Sequence, residues 1–114
     1  MSTDWKGLLG DAMQDLGELA KGNPKIMSAI RTFDEAAAAH GALDAKTREL
    51  IALAVAATTR CETCIAVHSK AAVDAGASRE ELLETLAVAI GLNAGAAFVY
   101  SSHILSAFDT LSKK

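Results

Sequence analysis

The chain has 114 residues, a length that one hydrophobic core serves and that argues against a second folded unit. Hydrophobic residues make up 51% of it and charged residues 22%, which excludes a disordered tail or a polar linker. The formal net charge is −3, and with no basic cluster to neutralise phosphates, neither nucleic acid nor an anionic membrane is an expected partner.

Met1 to Leu9 carries Asp4 and lacks both a cationic start and a long apolar core, so no signal peptide is expected and a cytoplasmic location is. Alanine supplies 24 residues against 19 for valine, isoleucine and threonine together. Alanine loses the least side-chain entropy in a helix, whereas strands need β-branched residues, so the expected fold is all-α. A chain of this size buries only about two-thirds of its unfolded surface. Its apolar inventory is large for that, and the surplus points to self-association.

In chain order, Asp4 is placed to cap a first helix running to about Lys21, weakened by Gly7, Gly10 and Gly17 at up to ~1 kcal/mol each. Asn23-Pro24 is an N-cap followed by proline in the first turn, and Gly41 lies past the Ala36–Ala39 run, which predicts a second helix over Pro24–His40. Asp44 caps a third, Ala45 to about Thr59, whose stretch from Leu50 to Ala57 is apolar all round and so needs partners on every side. A fourth begins near Cys61 and ends at Gly76, a left-handed C-cap. Ser78 and Glu81 form a capping box that starts a fifth. Gly91, Asn93 and Gly95 predict a break before a last helix to about Leu111. The expectation is one domain over residues 1–114, a compact bundle of about six helices.

Reactive side chains cluster in one place, Cys61-Glu62-Thr63-Cys64-Ile65-Ala66-Val67-His68. On a helix, Cys61, Cys64, His68, Ala71 and Ala75 fall on one stripe facing the interior, with Glu62, Lys70 and Asp74 opposite. Cysteines three apart at a helix start can bring their Cα atoms within the ~4.4–6.8 Å that a disulfide requires. The helix N-terminus stabilises a thiolate there. His68, one turn after Cys64, is placed to take the thiol proton directly or through a water. Glu49 puts a carboxylate on an apolar face and needs a partner: it orients the imidazole of His68, or acts as a proton carrier, or simply pairs with Lys46.

The pattern E-x11-C-x2-C-x3-H from Glu49 to His68, followed by Ala75-Gly76-Ala77-Ser78 and an acidic helix start, resembles the alkylhydroperoxidase D / carboxymuconolactone decarboxylase family over roughly residues 24–108. The resemblance implies an all-helical, alkylhydroperoxidase D-like subunit that assembles into homo-trimers or homo-hexamers. Its redox branch reduces peroxides through a cysteine pair. Carried over on the motif, Cys64 is the cysteine that attacks peroxide and becomes a sulfenic acid. Cys61 is the proton donor and resolving thiol, and Glu49 and His68 form the proton relay. Well-known members have a histidine between the cysteines where this chain has Thr63, which bears on proton delivery and substrate preference. Helix-terminus electrostatics alone favours Cys61 as the nucleophile, so the roles come from the resemblance.

Other uses of these residues compete. A thioredoxin-type motif belongs after a strand in a βαβ pattern, which this sequence lacks. Haem attachment needs His directly after the second Cys, where Ile65 stands. Zinc could draw on Cys61, Cys64 and His68 with Glu49 or a partner-chain residue as fourth ligand, although structural sites usually gather ligands from two segments. The cysteines could also be small fillers in an alanine-rich interface of a non-catalytic scaffold. Lactone decarboxylation, the other activity of the family, generally does without a C-x-x-C pair. His40 and His103, the latter one turn from Tyr100, are read as structural, and Trp5 and Phe33 as packing area.

The sequence therefore leads to a cytoplasmic peroxidase or dithiol–disulfide oxidoreductase, with peroxiredoxin-type activity in antioxidant defence. Its partners would be a small alkyl or hydrogen peroxide and an external dithiol reductant, such as a lipoylated or thioredoxin-like protein. No G-x-G-x-x-G occurs, and no metal, flavin, haem or nicotinamide cofactor is expected.

Overall fold

The computed structural model describes residues 3–113, so Met1, Ser2 and Lys114 lie outside it, the first two belonging to the Met1–Leu9 segment read above. Five helices follow one another: α1 (Trp5–Gly22), α2 (Pro24–Ala38), α3 (Ala45–Thr59), α4 (Glu62–Asp74) and α5 (Arg79–Leu111). Among the described residues there is no strand.

Local chemistry sets most boundaries. The Asp4 carboxylate accepts from the Gly7 N–H at 3.0 Å and the Asp44 carboxylate from the Thr47 N–H at 2.8 Å, each satisfying a donor that the helix start leaves open. Ser78 and Glu81 form a reciprocal capping box, with contacts of 3.0 and 2.9 Å. Pro24 occupies the first turn of α2, while the Asn23 side chain makes no capping bond. Gly41 (φ 62°) and Gly76 (φ 85°) take the left-handed conformation where α2 and α4 give way to turns.

α3 lies at the centre, packed against both α4 and α5, while the first half of α1 rests on α4 and α2 rests on α1. Among the described residues the buried ones are Ala12, Leu53, Ala56, Ala66, Ala72 and Ala89, so all but one of these are alanines. Small side chains let the helix backbones approach closely, but they remove little apolar area from water.

Two departures from the sequence reading follow. The expected break at Gly91–Gly95 is absent, and α5 runs unbroken for 33 residues, giving five helices rather than about six. Each interior glycine costs only ~1 kcal/mol, too little to open a long ladder already nucleated by a capping box. Asn93 folds its amide back onto the helix, donating to the Ala89 carbonyl at 2.7 Å. The subunit is also extended rather than a compact bundle. Its radius of gyration is 18.8 Å, where a compact chain of this length has about 13 Å. The second half of α5 and α2 lie away from the α3–α4 centre, leaving Phe98 82% and Phe33 75% exposed.

One ion pair ties the start of α3 to the start of α5: the Lys46 ammonium lies 2.8 Å from the Glu81 carboxylate. The Lys46 hydrogen bond, helped by the Ser78 N–H, holds the Glu81 carboxyl below its ordinary range, and Glu81 in turn raises Lys46. The capping bonds to Thr47 lower Asp44 in the same way. A carboxyl depressed by folding contributes stability above its unfolded pKa, about 4 for these groups, and loses it as pH falls through the folded value. Glu81→Gln is therefore expected to lower the melting temperature at neutral pH and to converge on the wild type in acid, as followed by circular dichroism. A melting-temperature difference that persists unchanged below pH ~3 would contradict this account.

Candidate active site

The site is built at the joint between α3 and α4. Only Arg60 and Cys61 separate the two helices, and Arg60 adopts a left-handed conformation (φ 54°, ψ 42°) that costs a non-glycine residue ~1 kcal/mol or more. This turn doubles α4 back against α3. It also leaves Cys61 in an extended conformation as the N-cap of α4, with its Sγ accepting the Cys64 N–H at 3.2 Å. A sulfur here does what Asp44 and Ser78 do with oxygen at their helix starts.

Cys61 and Cys64 are joined in a disulfide, with their Cα atoms 5.2 Å apart, within the span expected from their spacing. One turn on, the His68 Nδ1 lies 2.6 Å from the Glu49 Oε2. Of the two partners considered for Glu49, the structure selects His68, because Lys46 is taken up by Glu81 across the α3–α5 contact. The carboxylate binds Nδ1, so Nδ1 carries hydrogen and Nε2 is left to accept or deliver a proton.

Burial places these groups at the edge of the packed helices. The most buried residues of α4 are Ala66 and Ala72, whereas Cys61, Cys64, His68, Ala71 and Ala75 are all half-buried. The reactive stripe thus flanks the interior line rather than forming it. The Glu49 and His68 side chains retain 25% and 37% of their exposure, enough for a small molecule or a water to reach them. Glu62, Lys70 and Asp74 are exposed on the far side, as their spacing indicated, and Lys70 pairs with Asp74 at 2.6 Å.

No cluster of three potential metal-binding side chains occurs among the described residues. His40 lies exposed in the turn after α2. The His103 ring stacks on Tyr100 along the projecting half of α5, with centroids 4.9 Å apart. The feature that sequence reasoning missed is Arg60. Its signal was the shortness of the joint, since a capping residue directly after Arg60 leaves one position to reverse the chain.

The arrangement combines a dithiol–disulfide couple, a helix N-terminus that stabilises negative charge on sulfur, and a carboxylate–imidazole pair one turn away. It can store two electrons and move a proton. Glu49→Ala is expected to leave the disulfide intact but free the imidazole ring, seen by nuclear magnetic resonance as loss of a single Nδ1–H tautomer; an unchanged tautomer would remove Glu49 from the ring's control.

The carboxymuconolactone decarboxylase family model matches residues 24–107. A Haemophilus influenzae protein is 54% identical over 96% of this chain and 96% of its own. A Cupriavidus necator protein is 37% identical over 98% of this chain and 99% of its own. The crystal structure of the apo form of a carboxymuconolactone decarboxylase family protein from Legionella pneumophila matches at a TM-score of 0.75, with 38% identity over 98% of this chain and all (100%) of that one. With the family model matching most of the chain and these relatives in agreement, the chain belongs to the carboxymuconolactone decarboxylase family.

Proposed function

We propose that this protein is an alkylhydroperoxidase D-like peroxidase, a dithiol enzyme that reduces small alkyl or hydrogen peroxides and is reset by an external dithiol. The observation that carries the reading is the Cys61–Cys64 disulfide one turn from an imidazole held by the Glu49 carboxylate. In the reduced enzyme His68 draws the proton from Cys64, directly or through a water. The Cys64 thiolate attacks the O–O bond, releasing alcohol or water and leaving a sulfenic acid, and Cys61 condenses with that acid to expel water and close the disulfide. Such a couple operates in a reducing compartment, consistent with the cytoplasm. A lipoylated or thioredoxin-like protein would supply the dithiol.

The same reading makes the working unit a homo-oligomer, a trimer or hexamer. An apolar hollow of about 410 Å³ runs between α3 and α5, lined by Ile51, Val55, Val88 and Leu92 among others. Beyond it α5 continues bare, with no Asp, Glu, Lys or Arg from Leu86 to Phe108. By length and composition α5 could cross a membrane. Its glycines, alanines, serines and Asn93 instead suit close packing against helices of further copies, which would cover both the hollow and the projecting half.

Three measurements test this reading. Thiols of the reduced protein are counted before and after one equivalent of an organic hydroperoxide, with loss of both thiols of each chain expected; unchanged thiols would refute the peroxidase and favour a decarboxylase or a scaffold. Cys64→Ser is expected to abolish peroxide turnover and Cys61→Ser to leave a sulfenic acid that dimedone captures, while Glu49→Gln slows turnover by about 10²-fold or more. Light scattering in detergent-free buffer is expected to give a discrete multiple of the chain mass, reduced by Phe98→Asp; a wild-type monomer, or one that requires detergent, would refute the assembly.

A further inference from the structure

The residue that reverses the chain at the α3–α4 joint also lines a cleft that the dithiol chemistry leaves unused. Resting on the peroxidase reading above, we infer that Arg60 receives the carboxylate of an amphiphilic substrate, a hydroperoxy acid whose alkyl chain lies in the cleft between the end of α3 and α5.

The backbone at this position favours glycine. At φ 54° and ψ 42° a side chain costs ~1 kcal/mol or more, which glycine would not incur. The turn itself needs no guanidinium, so the role of that group lies in what it faces. It borders a cleft of about 500 Å³ whose other walls include Ala57, Thr58, Leu86, Ile90 and Asn93, within the size range of small-ligand sites. The hollow assigned above to assembly runs along Val88 and Leu92 instead, on another flank of α5.

Charge decides what this cleft suits. The Thr58 hydroxyl donates to the Val55 carbonyl at 2.8 Å and the Asn93 amide to the Ala89 carbonyl at 2.7 Å, so the full charge in the lining is that of Arg60. Among the described residues the guanidinium pairs with no carboxylate. Their ion pairs are Lys46–Glu81, His68–Glu49 and Lys70–Asp74, and Glu62 lies exposed on the far side of α4. One cation beside an apolar wall matches a ligand with one anionic group and an apolar body, and the planar fork of a guanidinium fits a carboxylate with two parallel hydrogen bonds.

Position then limits the substrate. The cleft lies between α3 and α5 and the disulfide at the start of α4, with Arg60 next to Cys61 in the chain and their Cα atoms ~3.8 Å apart. A carboxylate held by Arg60 brings the peroxide to Cys64 only if the O–O group lies within a few carbons of it, while the rest of the alkyl chain fills the cleft. The carboxylate takes no part in the bond changes. The Cys64 thiolate takes the outer oxygen, the other leaves as a hydroxy acid with the proton held by His68, and Cys61 closes the disulfide with release of water.

Octanoate and octanamide, alike in shape and different in charge, probe the cleft in the oxidised full chain, where no sulfur chemistry intervenes. Titrations followed by nuclear magnetic resonance are expected to move the amide signals of Ala57, Leu86 and Ile90. Octanoate is expected to bind about fivefold more tightly than octanamide in low salt, the upper end of what an exposed ion pair contributes, with the gap narrowing as salt rises. Arg60→Gly, which the left-handed backbone accommodates, should bring the two affinities together, and Arg60→Lys should keep part of the difference. In turnover the probes are an octanoate hydroperoxide with its O–O group beside the carboxylate, and its methyl ester. The ratio of their kcat/KM values is expected to fall about fivefold in Arg60→Gly, through KM. Equal binding of octanoate and octanamide, signals that move elsewhere, or an acid-to-ester ratio that Arg60→Gly does not change would overturn the inference. So would a variant that melts earlier yet keeps the preference, since Arg60 would then serve only the C-terminus of α3. Thiols indifferent to the hydroperoxide in a protein that still prefers octanoate would remove the peroxidase reading, and the substrate with it, while the carboxylate site stood.

Discussion

The reversal of the chain at Arg60 is the constraint on which the rest of this structure depends. One residue in the left-handed conformation, φ 54°, joins the end of α3 to the sulfur that caps α4. The turn sets two relationships together. It fixes Cys61 as the cap and so aims a helix N-terminus at the dithiol, and it folds α4 back on α3 so that Glu49 reaches His68 across nineteen positions of sequence. A longer joint would loosen both. Strain stored at such a point is held in place by the packing on either side of it.

That packing is made by alanine. Ala56, Ala66, Ala72 and Ala89 form most of the buried interior around α3, and their small side chains allow three helices to approach closely around a site that needs sub-ångström placement. The corresponding cost is area. An interior of alanines removes far less apolar surface from water than leucine or phenylalanine would, and a chain of this size has little core to spare. Many large side chains lie instead on the projecting half of α5 and on α1 and α2, where the described residues leave them exposed. A precise site and an uncovered exterior thus share one physical origin.

The chemistry gains from the site's position at the edge of this interior. Burial deep enough to exclude water would leave the Glu49–His68 pair costly and unreachable, and full exposure would let solvent loosen it. Half-buried side chains joined by a short hydrogen bond keep the ring in one orientation while Nε2 stays available. On the proposed reading, Thr63 between the cysteines leaves His68 as the histidine placed to serve the dithiol.

Much of this was legible along the chain because it depends on neighbours in sequence. The caps at Asp4, Asp44 and Ser78, the left-handed glycines 41 and 76, and the i, i+3, i+7 placement of Cys61, Cys64 and His68 are local geometry, and the spacing of the last three, with Glu49, carried the family likeness. Interactions between distant residues were decided by the tertiary structure. Whether Glu49 turned to Lys46 or to His68 depended on Glu81, far along the sequence, claiming the lysine. Whether α5 broke at Gly91–Gly95 depended on the continuity of its hydrogen-bond ladder, against which two glycines weigh little. The left-handed Arg60 followed from two helices needing to meet. Capping and periodicity act within a turn or two of the backbone, whereas the choice among competing partners is made only when separate helices are brought into contact.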